Sequence, residues 1–206
     1  DSLIKCVYLQ RYSLIKCGQK SDYSLIKCDR EVEYSLIKCD FKIRIMERLA
    51  IDELLKWKNK QYRKPLIIEG ARQVGKTWLV KEFARQNYKQ LAYVNFEEMK
   101  ILQNLFEQDF NIPRILTAIG AATNVTCTEG ETLIFLDEIQ AAPHAVTSLK
   151  YFAENAPGYH VIAAGSLLGI ELHQGESFPV GKVEFLSLYP MNFIEFVMAM
   201  GEKNLA

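Results

Sequence analysis

From Met46 onward the chain switches repeatedly between two hydrophobic periods. "MERLAIDELLKWKN" places apolar residues at 46, 49, 50, 54, 55 and 57, close to helical spacing. "KPLIIEG" is a short apolar run between Pro65 and Gly70, the pattern of a strand buried on both faces. Helical spacing returns in "KTWLVKEFARQN" through Leu79, Val80, Phe83 and Ala84, and "QLAYVNFEE" reads as the next strand. Residues 101–122 predict two helical pieces broken near Pro113. "ETLIFLDE" is a second buried strand, and "APHAVTSLKYFAEN" a helix with Pro143 near its first turn. "YHVIAAGS" and "KVEFLSLYP" predict strands and "MNFIEFVMAM" a helix. Strands that alternate with helices imply right-handed βαβ units and an α/β fold with a mostly parallel sheet covered on both faces.

The first 45 residues follow another rule. "SLIKC" occurs at Ser2–Cys6, Ser13–Cys17, Ser24–Cys28 and Ser35–Cys39, a period of 11 residues, with Tyr12, Tyr23 and Tyr34 before three of the copies. A helix would place the four cysteines in a slow right-handed line, and short strands would stack as a solenoid. Zinc knuckles need cysteines about two to four apart, so the spacing argues against a metal site. The copies are identical while the spacers "VYLQR", "GQKSD", "DREVE" and "DFKIR" share no polarity pattern. A buried repeat keeps its apolar positions and lets the letters drift. Identity beside unpatterned spacers reads instead as a translated tandem DNA repeat, and the first methionine is Met46. The expectation is a segment 1–45 that is poorly ordered or foreign to the native fold, followed by one globular domain over 46–206.

Composition narrows the class only slightly. Lys+Arg and Asp+Glu balance at 25 each, so overall charge leaves nucleic-acid binding undetermined. No apolar run approaches the length of a membrane span, and no signal-peptide core is visible. The five cysteines then read as reduced thiols in a cytoplasmic protein. Cys127 has no neighbouring base and reads as inert. His144, His160 and His173 have no ligand spacing, which points to no metal other than magnesium.

The candidate chemistry begins at Gly70. Gly70-Ala71-Arg72-Gln73-Val74-Gly75-Lys76-Thr77 fits G-x-x-x-x-G-K-[ST], the Walker A phosphate loop. Glycine frees the backbone to turn its N–H groups inward, where the following helix N-terminus adds its dipole. On this reading residues 70–78, ending at Trp78, hold the nucleotide. Lys76 reaches the β/γ-phosphates, and Thr77 binds Mg²⁺. Chance would give the motif in about one chain in a hundred of this length. The strand before it and the helix after it strengthen the reading.

A phosphate loop needs a carboxylate beside its metal. "LIFLDEIQ" ends a buried strand in Asp137, placed for Mg²⁺, and Glu138, placed to polarise the attacking water (the Walker B pattern). "HVIAAGSLLG" ends a third strand in Ser166. If that strand lies beside the Asp137 strand, Ser166 sits near the γ-phosphate and senses it. Asn95 is a weaker candidate of the same kind. Lys182 and Arg114 are candidates for the positive charge that phosphoryl transfer needs, although either residue is more often simply solvated.

Together "IIEGARQVGKTWLVKEFA", "YVNFEE", "LIFLDEIQ", "VIAAGSLLG" and "FPVGKVEFLSLYPMNFIEF" resemble the prokaryotic AAA+-type P-loop ATPases of the AAA_14 type. These are usually followed by a C-terminal domain of unknown function (DUF4143). The resemblance covers about residues 46–206. It implies a three-layer αβα sandwich of the ASCE type, with the phosphate-loop strand central and flanked by the Asp137 and Ser166 strands. It implies ATP and Mg²⁺ as ligands. Residue by residue it gives Lys76 and Thr77 to phosphates and metal, Asp137 and Glu138 to metal and water, and Ser166 to sensing. Relatives continue past the "PMNFIEF" helix, so a C-terminal domain is expected to be missing. They often have Gly-Arg where this chain has Gly181-Lys182, and lysine lacks the bidentate fork of arginine.

Two functions follow as expectations. One is an ATPase whose turnover moves a partner protein, a second copy of the chain or the missing domain. The other is a nucleotide-gated switch that hydrolyses slowly or not at all.

Overall fold

The computed structural model describes residues 7–9, 12–14, 48–166, 179 and 181–200. The chain divides into two units, Asp1–Ile43 and Arg44–Ala206. In the first, β1 (Val7–Leu9) pairs antiparallel with β2 (Tyr12–Leu14), with Tyr8 opposite Ser13. Strand pairing is therefore the local form of these six residues. The repeat cysteines Cys6, Cys17, Cys28 and Cys39 lie outside the described residues, as do the alternative readings that depend on them.

The second unit runs α1 (Ala50–Lys58), β3 (Leu66–Gly70), α2 (Lys76–Asn87), β4 (Gln90–Asn95), α3 (Lys100–Gln108), α4 (Ile112–Thr123), β5 (Thr132–Asp137), α5 (Pro143–Asn155), β6 (His160–Ser166), β7 (Glu184–Ser187) and α6 (Phe193–Met200). A single 3-10 turn, Ile139–Ala141, separates β5 from α5. The predicted break near Pro113 falls at 109–111. The Asn111 side chain caps α4 by accepting from the Arg114 N–H at 3.1 Å, and Pro113 occupies the first turn, where its missing N–H costs nothing.

The sheet order is β4-β5-β6-β3-β7, and every pairing is parallel. Residue parity sorts the side chains to two faces. Leu66, Ile68, Leu133, Phe135, Ile162 and Ala164 pack with α1 and α2. Ile67, Ile134, Leu136, Val161 and Ala163 pack with α3, α4 and α5. Both faces are covered, which explains why the strands read as continuous apolar runs. The fold is the expected α/β three-layer αβα sandwich.

One expectation needs correction. The phosphate-loop strand β3 is flanked by the Ser166 strand β6 and by β7, and the Asp137 strand β5 lies one place further out. Register explains the arrangement. β6 pairs with β5 through Leu136–Ala163 and with β3 through Gly70–Ser166, so it lies between them.

Candidate phosphate-binding site

The carboxyl ends of β3, β5 and β6 deliver Gly70, Asp137 and Ser166 to one edge of the sheet, where ligands of open α/β folds bind. Gly70 must be glycine for a packing reason. A Cβ there would lie 2.3 Å from the Leu188 carbonyl oxygen, in the segment that β7 lays against β3. Gly75 must be glycine for a backbone reason. It starts α2 with φ +93°, a region that side chains disfavour. Gln73 also takes a positive φ, of 65°.

Arg72, Gln73, Gly75, Lys76, Thr77, Trp78, Glu97, Glu138 and Ser166 line a cavity of about 490 Å³. Of the nine residues expected to bind nucleotide, six therefore face it. Val74 instead turns its side chain into the core beneath the loop, while Gly70 and Ala71 contribute carbonyls. Lys76 Nζ donates to the Gly70 carbonyl at 2.9 Å and to the Ala71 carbonyl at 2.8 Å. Burial lowers its pKa, against the attraction of Glu138 and Asp137 and with the help of Arg72.

Thr77 Oγ1 donates to Asp137 Oδ2 at 2.8 Å. Thr77 starts α2, which follows β3, while Asp137 ends β5, which β6 separates from β3. Asp137 is 2% exposed. Burial raises its pKa, while hydrogen bonds from Thr77, the Glu138 N–H and Tyr93 oppose the rise. The Tyr93 hydroxyl is 3.2 Å from Oδ2, and Lys81 Nζ sits 3.7 Å above the Tyr93 ring. A hydroxyl beside a buried carboxylate is a hard-oxygen donor pair suited to Mg²⁺. An ammonium group and a helix N-terminus beside it suit polyphosphate.

Glu138 adopts a left-handed conformation, φ 51° and ψ 44°, and Gln140 Nε2 donates to its Oε2 at 2.5 Å. Non-glycine residues held there cluster at working sites. Ser166 ends β6 on the cavity wall. Asn95 is used otherwise: its side-chain oxygen accepts the Glu97 N–H at 2.9 Å and shapes the turn that brings Glu97 to the cavity. Lys182 pairs with Glu154 at 3.0 Å, and Arg114 with Asp109 at 2.8 Å. Neither lines the cavity. Cys127 is half-buried, and burial raises its thiol pKa, which disfavours the reactive thiolate. His173 lies outside the described residues.

Three contributors were missed in the sequence. Tyr93 and Glu97 stand in the quoted "YVNFEE" stretch, yet only the register of β4 against β5 reveals their places. Arg48, whose NH1 donates to the Val74 carbonyl at 3.0 Å, left no signal at all.

Residues 62–197 match the family model of the AAA domain. No curated protein matches the chain. Among solved structures, the chain resembles the Walker-type ATPase PABY2304 of Pyrococcus abyssi at 17% identity and a TM-score of 0.48, over 77% of this chain and 57% of that one. It resembles the Orc1 protein of Aeropyrum pernix, solved in complex with DNA, at 13% identity and a TM-score of 0.47, over 75% of this chain and 47% of that one. The chain thus spans about half the length of these solved relatives.

Proposed function

The chain belongs to the AAA domain family of P-loop ATPases, and on that premise we propose that it binds ATP·Mg²⁺ at Gly70–Thr77 and hydrolyses it to drive a conformational change in a partner or a further domain. The observation that carries this reading is the 2.8 Å bond from Thr77 to Asp137, which brings together the hydroxyl and the carboxylate proposed to hold the metal. Lys76 and the loop N–H groups hold the β- and γ-phosphates, and Thr77 and Asp137 hold the metal. Magnesium, when bound, neutralises charge developing on the phosphoryl oxygens. Glu138 orients and deprotonates the attacking water, and Ser166 senses the γ-phosphate. A cytoplasmic setting and a protein partner, whether another protein or a second copy, fit this reading.

The test is steady-state phosphate release from ATP, with and without DNA, for the wild type and Glu138→Gln. The expected result is Mg²⁺-dependent release by the wild type. Glu138→Gln should bind ATP normally and turn over about a hundredfold or more slower, the scale of a lost general base.

One observation favours the alternative of a nucleotide-gated switch. Gln140 engages the Glu138 carboxylate at 2.5 Å and so competes with water for it. ATP binding by the wild type without measurable phosphate release would select the switch.

A further inference from the structure

Arg48 is 6% exposed and donates from each of its three nitrogens to a different segment. Nε reaches Glu195 Oε1 at 3.1 Å, NH1 the Val74 carbonyl at 3.0 Å, and NH2 the Tyr189 carbonyl at 2.7 Å. Glu195 is fully used in return. Its Oε1 also accepts the Leu49 N–H at 3.0 Å, and its Oε2 accepts the Asn192 N–H at 3.0 Å. Asn192 Oδ1 accepts the Glu195 N–H at 2.8 Å, which closes a reciprocal cap on α6.

A buried ion pair is a poor way to gain stability, because removing two charges from water offsets most of their attraction. What the arrangement supplies is direction. In a planar trans peptide the carbonyl of one residue and the N–H of the next point to opposite sides. Holding the Val74 carbonyl from behind therefore aims the Gly75 N–H the other way, and Gly75 lines the phosphate cavity.

We propose that Arg48 is a positioning residue of the phosphate loop, fixing the Val74–Gly75 peptide through the Val74 carbonyl and, through Tyr189 and Glu195, tying the aim of that peptide to the position of α6. The inference rests on the reading of the loop as a nucleotide site. A residue that only supported the fold would change the melting temperature and leave affinity at low temperature unaltered. Arg48 should change both.

The experiment is calorimetric titration of ATP·Mg²⁺ into wild type, Arg48→Lys and Arg48→Met, well below their melting temperatures, with folding checked by a cooperative melt. The expected result is a Kd raised about tenfold or more in Arg48→Met, the scale of loss when a binding group is misplaced by a fraction of its contact distance. Arg48→Lys, which keeps the charge and one donor, should recover part of it. A folded Arg48→Met with a Kd within about twofold of wild type overturns the proposal. If Arg48→Met does not fold, Glu195→Gln takes its place. That variant keeps the guanidinium but loosens its tie to α6, and an unchanged Kd there overturns the proposal equally. Failure of the wild type to bind ATP removes the nucleotide reading and this inference with it. Wild-type binding with unaffected variants removes this inference alone.

Discussion

Thr77 and Asp137 are joined by a 2.8 Å hydrogen bond, although 60 positions separate them in the chain. The contact spans an intervening strand and brings a helix-start hydroxyl to a strand-end carboxylate. Burial raises the pKa of Asp137. For a carboxyl group shifted upward, the contribution to stability is present below the unfolded pKa and lost as pH rises through the folded one. Wherever the group is ionised, its burial therefore costs stability.

Asp137→Asn should accordingly separate folding from function. The variant should melt within a few degrees of wild type or above it, because the Thr77 and Tyr93 hydroxyls can turn to accept from the new amide. Its stabilisation by ATP·Mg²⁺ should disappear. Differential scanning fluorimetry with and without nucleotide measures both quantities. A variant that loses stability yet keeps its ligand response would remove Asp137 from the metal site.

Ligand linkage tests the loop itself. A ligand that binds only the folded state at a hundredfold excess over Kd adds about 2.7 kcal/mol. Wild type should show that gain with ATP·Mg²⁺ and Lys76→Ala should not. Equal shifts in the two proteins would mean that the nucleotide binds elsewhere.

Gly70→Ala should be worse than its single methyl suggests. The new carbon would meet the Leu188 carbonyl oxygen, a backbone atom that cannot rotate away. The expected loss is about 2–3 kcal/mol in denaturant unfolding, the range for overpacking. A loss under about 0.5 kcal/mol, the level of a neutral surface change, would show that β7 and its following turn pack more loosely than described.

His160 sits at the opposite end of β6, buried at 7% exposure, with its Nδ1 2.6 Å from the Tyr88 hydroxyl. Burial, and then the positive charges of Arg63 and Lys58, lower its pKa to about 4. The folded value lies below the unfolded one, near 6.5. The neutral ring's contribution is thus complete above about pH 6.5 and is lost as pH falls toward 4. The full loss is at most roughly 3 kcal/mol. Urea unfolding at steps from pH 7 to 4 should show the slope, and His160→Asn should flatten it. An equal slope in both proteins would assign the acid sensitivity to other groups.

Local chemistry explains which features could be read from the sequence. The phosphate loop was legible because each of its letters answers a requirement within eight residues: a free backbone, an ammonium, a hydroxyl. Asp137 and Glu138 stood out only because of the phosphate-loop motif upstream, since a strand ending in two acids is common by itself. Helix borders could be read from prolines, as at Pro113 and Pro143, whereas the Asn111 cap emerged only from the structure. Strand order was less accessible. Nothing within β5 specifies that β6 rather than β3 is its neighbour, since both offer apolar faces. Arg48 lay beyond reach for the same reason. "MERLA" looks like the polar side of a helix start, and its partner Glu195 lies 147 positions away. Glu195 and Asn192 do spell a cap in "NFIE", but a cap says nothing of the guanidinium that enters it.

The two bonds from Lys76 to the Gly70 and Ala71 carbonyls have a further consequence. They make the lysine its own latch. A ligand does not find a loose cation but must displace it from two acceptors already satisfied. A lone anion offers one compact cluster of oxygens for that exchange, whereas a chain of phosphates can occupy the loop N–H groups while a second unit draws the ammonium away. On the proposed reading, the loop would therefore favour a polyphosphate over a single compact anion.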